Sequence, residues 1–400
     1  MEILKTNAQL NNKKNNNSKF YYYLLAVVVF ISVISQTSIF VERNIANTIS
    51  IPIWLMAFVF GVFYKKGKIY VDKFLVFGLI QIVLVLILSL FKISYLQTRV
   101  FRSFIIVLFI YFTTKLYSSS DNNFLILLIA KFFVFASLLL AFDTYFNYLA
   151  RGSFVDEGIY AYGSKNSIGM TLLSSVIFIY TIILPNAKDT KSKIIYFILS
   201  LPLLYVTIAV ASRAVITCGV VVFVSSLFLS KIPRKVKIAI LVTLIVGVLF
   251  ILLNGNLRDY FYKLITANRD VEDLSDLSSG RSEHWKFFFE NFYSVIILGA
   301  GRYKFEAFFI SVLYQYGIIV GTFFIAFSLY PIVIYNKTKK GESYNKNVYV
   351  CFILLIIAFL INGLFEELAP FGPGVKCMPL WIMAGLLSMA SNKKRKDKNG

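Results

Sequence analysis

Phe124-Leu125-Ile126-Leu127-Leu128-Ile129-Ala130-Lys131-Phe132-Phe133-Val134-Phe135-Ala136-Ser137-Leu138-Leu139-Leu140-Ala141-Phe142 runs for nineteen residues with one charge. A helix needs about 20 apolar residues to cross a hydrocarbon core, so this stretch predicts a membrane span. Its one cation, Lys131, lies two turns from the inner end and can snorkel to that interface. Comparable runs occupy residues 20–41, 46–64, 74–91, 101–117, 166–185, 194–211, 214–230, 236–253, 307–335, 347–365 and 375–391. Backbone groups in lipid must be satisfied within the segment, so the expected fold is an all-α polytopic bundle of about twelve transmembrane helices. The composition agrees. Hydrophobic residues make up 58% of the 400 and charged residues 15%, with a net charge of +21. Soluble chains are usually about 25% charged, and a basic disordered or nucleic-acid-binding chain would not be this apolar. One His and three scattered Cys (Cys218, Cys351, Cys377) predict neither a disulfide framework nor a metal centre, and no cofactor is expected.

The loops orient the bundle. With the N-terminus inside, the inner segments carry 25 cations and 6 acids, and the outer ones 15 cations and 14 acids. That asymmetry places both termini in the cytoplasm. The expected layout is a cytoplasmic tail over 1–19, nine spans over 20–253, a large extracytoplasmic loop over 254–306, three spans over 307–391, and a basic cytoplasmic tail over 392–400. The polar stretch from Asn11 to Lys19 precedes a span with no small-residue cleavage site, so it does not read as a signal peptide. No internal repeat is evident, which disfavours transporters built from two related halves.

The kind of cation also differs by side. Nine of the eleven arginines are outer: Arg43, Arg99, Arg102, Arg151, Arg213, Arg258, Arg269, Arg281 and Arg302. Arg offers a planar fork that grips phosphate or carboxylate through two bonds, whereas Lys is a point charge. An outer face rich in Arg points to an anionic ligand, phosphate above all; the alternative is pairing with the outer acids.

At about fifty residues, the 254–306 loop is too long for a plain connector. Within it, Arg281-Ser282-Glu283-His284-Trp285-Lys286-Phe287-Phe288-Phe289-Glu290-Asn291-Phe292 predicts an amphipathic helix. Trp285, Phe288, Phe289 and Phe292 share its apolar face and Arg281 lies above Trp285, so the helix either lies on the membrane surface or packs on the bundle. Leu298-Gly299-Ala300-Gly301-Arg302 follows as a tight turn. Glu306 sits at the outer mouth of the next span, either as a salt-bridge partner or as a general base.

Ala211-Ser212-Arg213, Ser279-Gly280-Arg281 with Trp285, Gly299-x-Gly301 and Tyr316-Gly317-Ile318 occur in that order, preceded by Gly163-Ser164-Lys165-Asn166. Together they resemble the family of O-antigen and capsular polysaccharide polymerases (Wzy-type) and O-antigen ligases. The resemblance spans residues 160–330 by motif and the rest by span layout. It implies a GT-C-like bundle in the bacterial cytoplasmic membrane. There it would join undecaprenyl-pyrophosphate-linked repeat units into O-antigen, capsule or exopolysaccharide on the outer face, without a metal. The expected partners are the lipid-linked repeat units, the membrane, a chain-length regulator and a flippase, and no nucleic acid. By resemblance Arg213 and Arg281 match the arginines that hold the donor pyrophosphate. Ligases carry a His-Asn pair where this chain has Glu306-Ala307, and that departure moves the reading toward polymerase.

Glycosyl transfer needs a proton acceptor for the attacking hydroxyl and cations on the leaving group. Glu306, Arg281 and Arg213 are the expected catalytic residues, with inversion by direct displacement. Arg302, Arg269, Lys165, Asn166, His284 and Trp285 are expected to bind substrate. Glu366 and Glu367, in the last outer loop, are alternative bases or sugar-binding groups, with solvated loop charge as the plainer reading. Tyr160 and Tyr162 could stack on sugar rings. The rival classes are the ligase of the same family and a flippase for the same lipid.

Overall fold

The computed structural model of the chain describes residues 19–41, 43, 45–68, 71–118, 122–147, 165–210, 212–229, 233–266, 281–340, 344–372 and 374–388. Among them there is no strand. The helices, in chain order, are α1 (Lys19–Ile34), α2 (Ala46–Tyr64), α3 (Lys73–Ser89), α4 (Arg99–Tyr117), α5 (Asn122–Asn147), α6 (Lys165–Asn186) and α7 (Thr190–Ala209). They continue with α8 (Arg213–Leu229), α9 (Arg234–Leu253), α10 (Gly255–Thr266), α11 (Arg281–Asn291), α12 (Phe308–Lys340), α13 (Lys346–Asn362) and α14 (Met378–Ser388). Helix forms within each expected apolar run. Five helices, α4, α5, α6, α7 and α12, are long and apolar enough to cross a membrane, which makes the chain a multi-pass membrane protein.

Local chemistry sets the ends. The Asp72, Thr98 and Asp189 side chains cap α3, α4 and α7 by accepting from the backbone N–H of Leu75, Phe101 and Ser192. The run expected over 20–41 is helical to Ile34 and again over Ser38–Val41, and at the break between them hydroxyls compete for the last carbonyls of α1. Ser35 Oγ donates to Ser32 O and Thr37 Oγ1 to Ile34 O, both at 2.8 Å. Within α6, Pro185 has no N–H for the Thr181 carbonyl, and the ladder widens to a π segment over Ile179–Ile183. The 375–391 run opens with a 3-10 turn, Gly374–Cys377, before α14.

The core is aromatic. Phe74 of α3, Tyr111 and Phe104 of α4, Phe327 of α12 and Trp381 of α14 interleave, with Phe74–Tyr111 and Phe74–Phe327 centroids 4.2 Å apart. α14 presses on α4 at Gly385, where an added Cβ would sit 2.1 Å from Thr114 Oγ1. Small residues that let backbones approach take the place of the hydrophobic drive that lipid cannot supply. α6 packs on α5 and α7, and α8 on α13.

Polar groups gather at the two ends of the bundle. At one end Lys115 Nζ pairs with Asp72 Oδ2 at 2.7 Å, Lys65 Nζ donates to Ser118 O, and Asn122 Nδ2 donates to Tyr344 Oη and Leu386 O. The other end gathers the connection after α3, the starts of α4, α6 and α8, the segment from α11 to α12, and the connection from α13 to α14.

Candidate functional site

The site is built on a break in α12. Gly317 has φ 74° and ψ 175°, which interrupts the helical ladder and frees the carbonyls before it. The turn at Gly299 and Gly301, with φ 81° and 76°, docks into that break. Ala300 N–H donates to Tyr314 O at 2.8 Å and Gly301 N–H to Gln315 O at 2.9 Å. Ile318 N–H donates to Ile296 O at 2.7 Å. A Cβ on Gly317 would lie 2.2 Å from Ile297 O, and one on Gly299 would lie 2.4 Å from Gln315 O. Broken helices survive at membrane depth only where other protein groups satisfy the freed backbone, and here the turn does so. Two glycine motifs read separately in the sequence are thus one structure. Tyr95 Oη steadies it by donating to Leu298 O at 2.9 Å, and Lys92 Nζ by donating to Ala300 O at 3.0 Å.

The break aims Gln315 into the site. Gln315 is 1% exposed, and its Nε2 reaches Tyr303 O, Ser311 Oγ and Glu367 Oε1, the last at 3.0 Å. Its Oε1 is buried with no hydrogen-bond partner. Above it lie two adjoining cavities. The first, of about 570 Å³, is walled by Arg281 and Glu306 from the α11–α12 segment, Asn166 from α6, and Phe365, Glu366 and Glu367. The second, of about 620 Å³, is walled by Arg302, Tyr303, Gln315 and Thr98. Arg99, Arg102, Lys304 and Glu367 line both.

Charge is divided unevenly between them. In the first cavity Arg281 Nη2 meets Glu306 Oε2 at 3.1 Å and donates to Phe365 O at 3.2 Å. Glu366 accepts from Asn166 Nδ2, which in turn accepts from Ser212 Oγ through its own carbonyl. Behind Glu366, the fully buried Lys376 Nζ stands 3.6 Å from Oε2. The second cavity has four cations, Arg99, Arg102, Arg302 and Lys304, and one carboxylate, Glu367. None of the four makes an ion pair within 4.0 Å among the described residues. Arg99 and Arg102 stand in the first turn of α4, where the helix dipole disfavours cations and favours anions. Burial pushes the Glu367 carboxyl above the usual range, and Glu366 adds to this; the Gln315 hydrogen bond and the Arg99 and Lys304 charges pull it back.

The structure brings together Arg281, Glu306, Asn166, Glu366, Glu367 and Arg302 from the expected set. Arg213 starts α8 one residue after Ser212 but is not among the cavity-lining residues, and neither are Lys165, His284 or Trp285. His284, distant from Glu306 in sequence, is beside it in space: its Nδ1 accepts the Glu306 backbone N–H at 3.2 Å. Of the expected stripe, Trp285, Phe288 and Phe292 pack in one apolar cluster with Phe287, while Phe289 is 64% exposed. Arg269, Tyr160, Tyr162, Gly163, Ser164, Ala211, Ser279 and Gly280 lie outside the described residues. Lys131 is exposed on α5 and lines neither of these two cavities.

Arg99 and Arg102 were named only among the nine outer arginines, and Lys304, Gln315 and Lys376 were not given a role from the sequence. The first two had a legible signal, since Thr98-Arg99-Val100-Phe101-Arg102 spaces two arginines three apart at an expected helix start. Gln315 and Lys376 carried none, because their importance comes from burial. Among the described residues no three His, Cys, Asp or Glu side chains converge to hold a metal ion. Compared with known proteins, the chain matches no family model and no curated protein.

Proposed function

We propose that this chain is a glycosyltransferase of the bacterial cytoplasmic membrane. Its reaction would join undecaprenyl-pyrophosphate-linked repeat units into a polysaccharide on the outer face. In this reading twelve helices span the membrane and both termini are cytoplasmic. The end bearing Lys65, Lys115 and the basic loops faces inward, and the two cavities open outward. One observation carries the reading: among the described residues, four cations without ion pairs surround a cavity with a single carboxylate. Such a surplus suits a polyanionic group, and a pyrophosphate leaving group needs its growing charge neutralised where no metal does so.

The likeness of the loop and helix motifs to Wzy-type polymerases supplies the substrate class. The site shifts the expected roles. Arg281 is neutralised by Glu306, so Arg99, Arg102, Arg302 and Lys304 are the better pyrophosphate ligands, while Arg281 shapes the neighbouring wall. The one histidine accepts from the backbone behind the cavity, which gives no support to a ligase-type histidine base.

Purified protein supplied with a defined lipid-linked repeat unit tests the reading by polymer length on a gel. Wild type should yield a ladder. Replacing Arg99 and Arg102 together with Ala should reduce turnover by roughly 100-fold or more. Transbilayer movement of the unit without a ladder would reverse the assignment in favour of a transporter.

A further inference from the structure

Three carboxylates face the two cavities, and their surroundings differ in a way that assigns them different work. Glu306 sits on the first cavity alone and is bound to Arg281 through Oε2 at 3.1 Å. Glu366 is engaged at both oxygens: Asn166 donates to Oε1, and Lys376 faces Oε2 from a fully buried position. It ties the starts of α6 and α14 together, with Ser212 at the start of α8 joined through Asn166. Glu367 stands apart on three counts. It lines both cavities, so it borders the cation-rich space and the one holding Asn166, Phe365 and the other two carboxylates. Gln315 orients it through Oε1 alone, and Oε2 makes no hydrogen bond among the described residues. Every other charged group on its two cavities is either a cation or a carboxylate already held by one.

We infer that the two cavities are the two halves of one reaction site, the second holding the donor's phosphate groups and the first the acceptor sugar, with Glu367 between them as the catalytic proton acceptor. This rests on the glycosyl-transfer reading above. Carboxylates, an amide and an aromatic edge suit the hydroxyls and the apolar faces of a sugar ring; an unneutralised arginine group suits phosphate.

The step balances without a further reactant. The acceptor hydroxyl gives its proton to Glu367 Oε2 as its oxygen bonds to the donor's anomeric carbon. The bond from that carbon to the phosphate oxygen breaks, and its electron pair leaves on the pyrophosphate, whose charge Arg99, Arg102, Arg302 and Lys304 neutralise. Attack from the side opposite the leaving group inverts the anomeric carbon. A carboxyl made more basic by burial is the better acceptor for an alcohol proton.

The test pairs a binding assay with turnover on the purified full chain. Undecaprenyl pyrophosphate is the binding probe, titrated by calorimetry in nanodiscs, and polymer formed from a defined lipid-linked repeat unit is the turnover readout. Glu367→Gln should bind the probe within about twofold of wild type and lose polymer formation by roughly 100-fold or more. Glu306→Gln should keep at least a tenth of turnover. Glu367→Asp, which keeps an acid one methylene shorter, should recover part of the loss. Normal polymer from Glu367→Gln overturns the inference, as does full loss from Glu306→Gln with Glu367→Gln active. Loss of probe binding in a Glu367→Gln protein that melts as wild type does also overturns the role; if Glu367→Gln fails to fold, Glu367→Asp carries the test, and wild-type turnover with an unmoved pH profile in that variant overturns the inference. Failure of the wider reading looks different: neither polymer nor probe binding is seen in wild type.

Discussion

Around Glu367 burial and Glu366 raise the proton affinity, while Gln315, Arg99 and Lys304 lower it. Only the ionised carboxylate can take a proton, so falling pH removes activity as the group protonates. Because the balance lies above the ordinary value of 4.5, activity should begin to fall at a higher pH than an exposed glutamate would give. Lys304→Met removes one of the lowering charges, and the acid limb of the turnover profile should move to still higher pH. An unmoved limb would separate the profile from Glu367. At the opposite end, Lys115 is 3% exposed and pairs with Asp72, which also accepts from Tyr111 Oη at 2.6 Å. Lys115→Met leaves that carboxylate without its cation and should cost about 2 kcal/mol, read as a lower melting temperature in detergent. Sequence reading at this scale found residue types and sides, and it placed Glu306, Arg281 and the Glu366-Glu367 pair near one another. It ranked Glu306 first as the base, with Glu366 and Glu367 as alternatives, without sight of their partners. The ranking depends on which carboxylate already has a partner, and those partners come from elements far apart in the chain.

The break at Gly317 and the turn at Gly299 and Gly301 form the element that orients Gln315. Gly67 offers an internal control for their strain, since it also has positive φ, 73°, but has open space where a Cβ would go. Gly67→Ala should cost about 1 kcal/mol from backbone strain alone. Gly317→Ala meets Ile297 O as well, so it should cost at least about 3 kcal/mol and abolish polymer formation, checked by thermal melting beside the gel assay. The helices themselves were legible, because runs of apolar residues announce them wherever packing later puts them. The break was not, because a glycine inside an apolar run is ordinary in membrane helices, and only the docked turn shows that the ladder is interrupted. The two motifs were visible in order, and their contact was not.

Among the described residues, polar side chains collect at two ends, with Lys65, Asp72, Lys115 and Asn122 at one and Arg99, Asn166, Ser212 and Glu306 at the other. All three cysteines are buried, so single reporters can be added on the native background. A cysteine at Arg302 should react with an impermeant maleimide in intact spheroplasts, and one at Lys337 only after the membrane is opened. The reverse pattern would invert the proposed orientation. Loop charge asymmetry is what supports this proposed orientation, since insertion responds to loop charge directly. The tertiary meeting of the α4 start with the α13–α14 connection left no trace in loop charge.

That meeting also fixes an order of events in biosynthesis. Arg99 and Arg102 are made early, and the turn at Gly299 is complete before the helix it docks into has been made. Glu366, Glu367 and Lys376 come last, after α12 and α13 are in place. Arg99 and Arg102 must therefore wait through synthesis of most of the chain, Arg302 and Lys304 for a much shorter stretch, and the two cavities close in one late step. A ribosome stalled before residue 365 would leave the earlier helices made and both cavities without the α13–α14 connection that closes them.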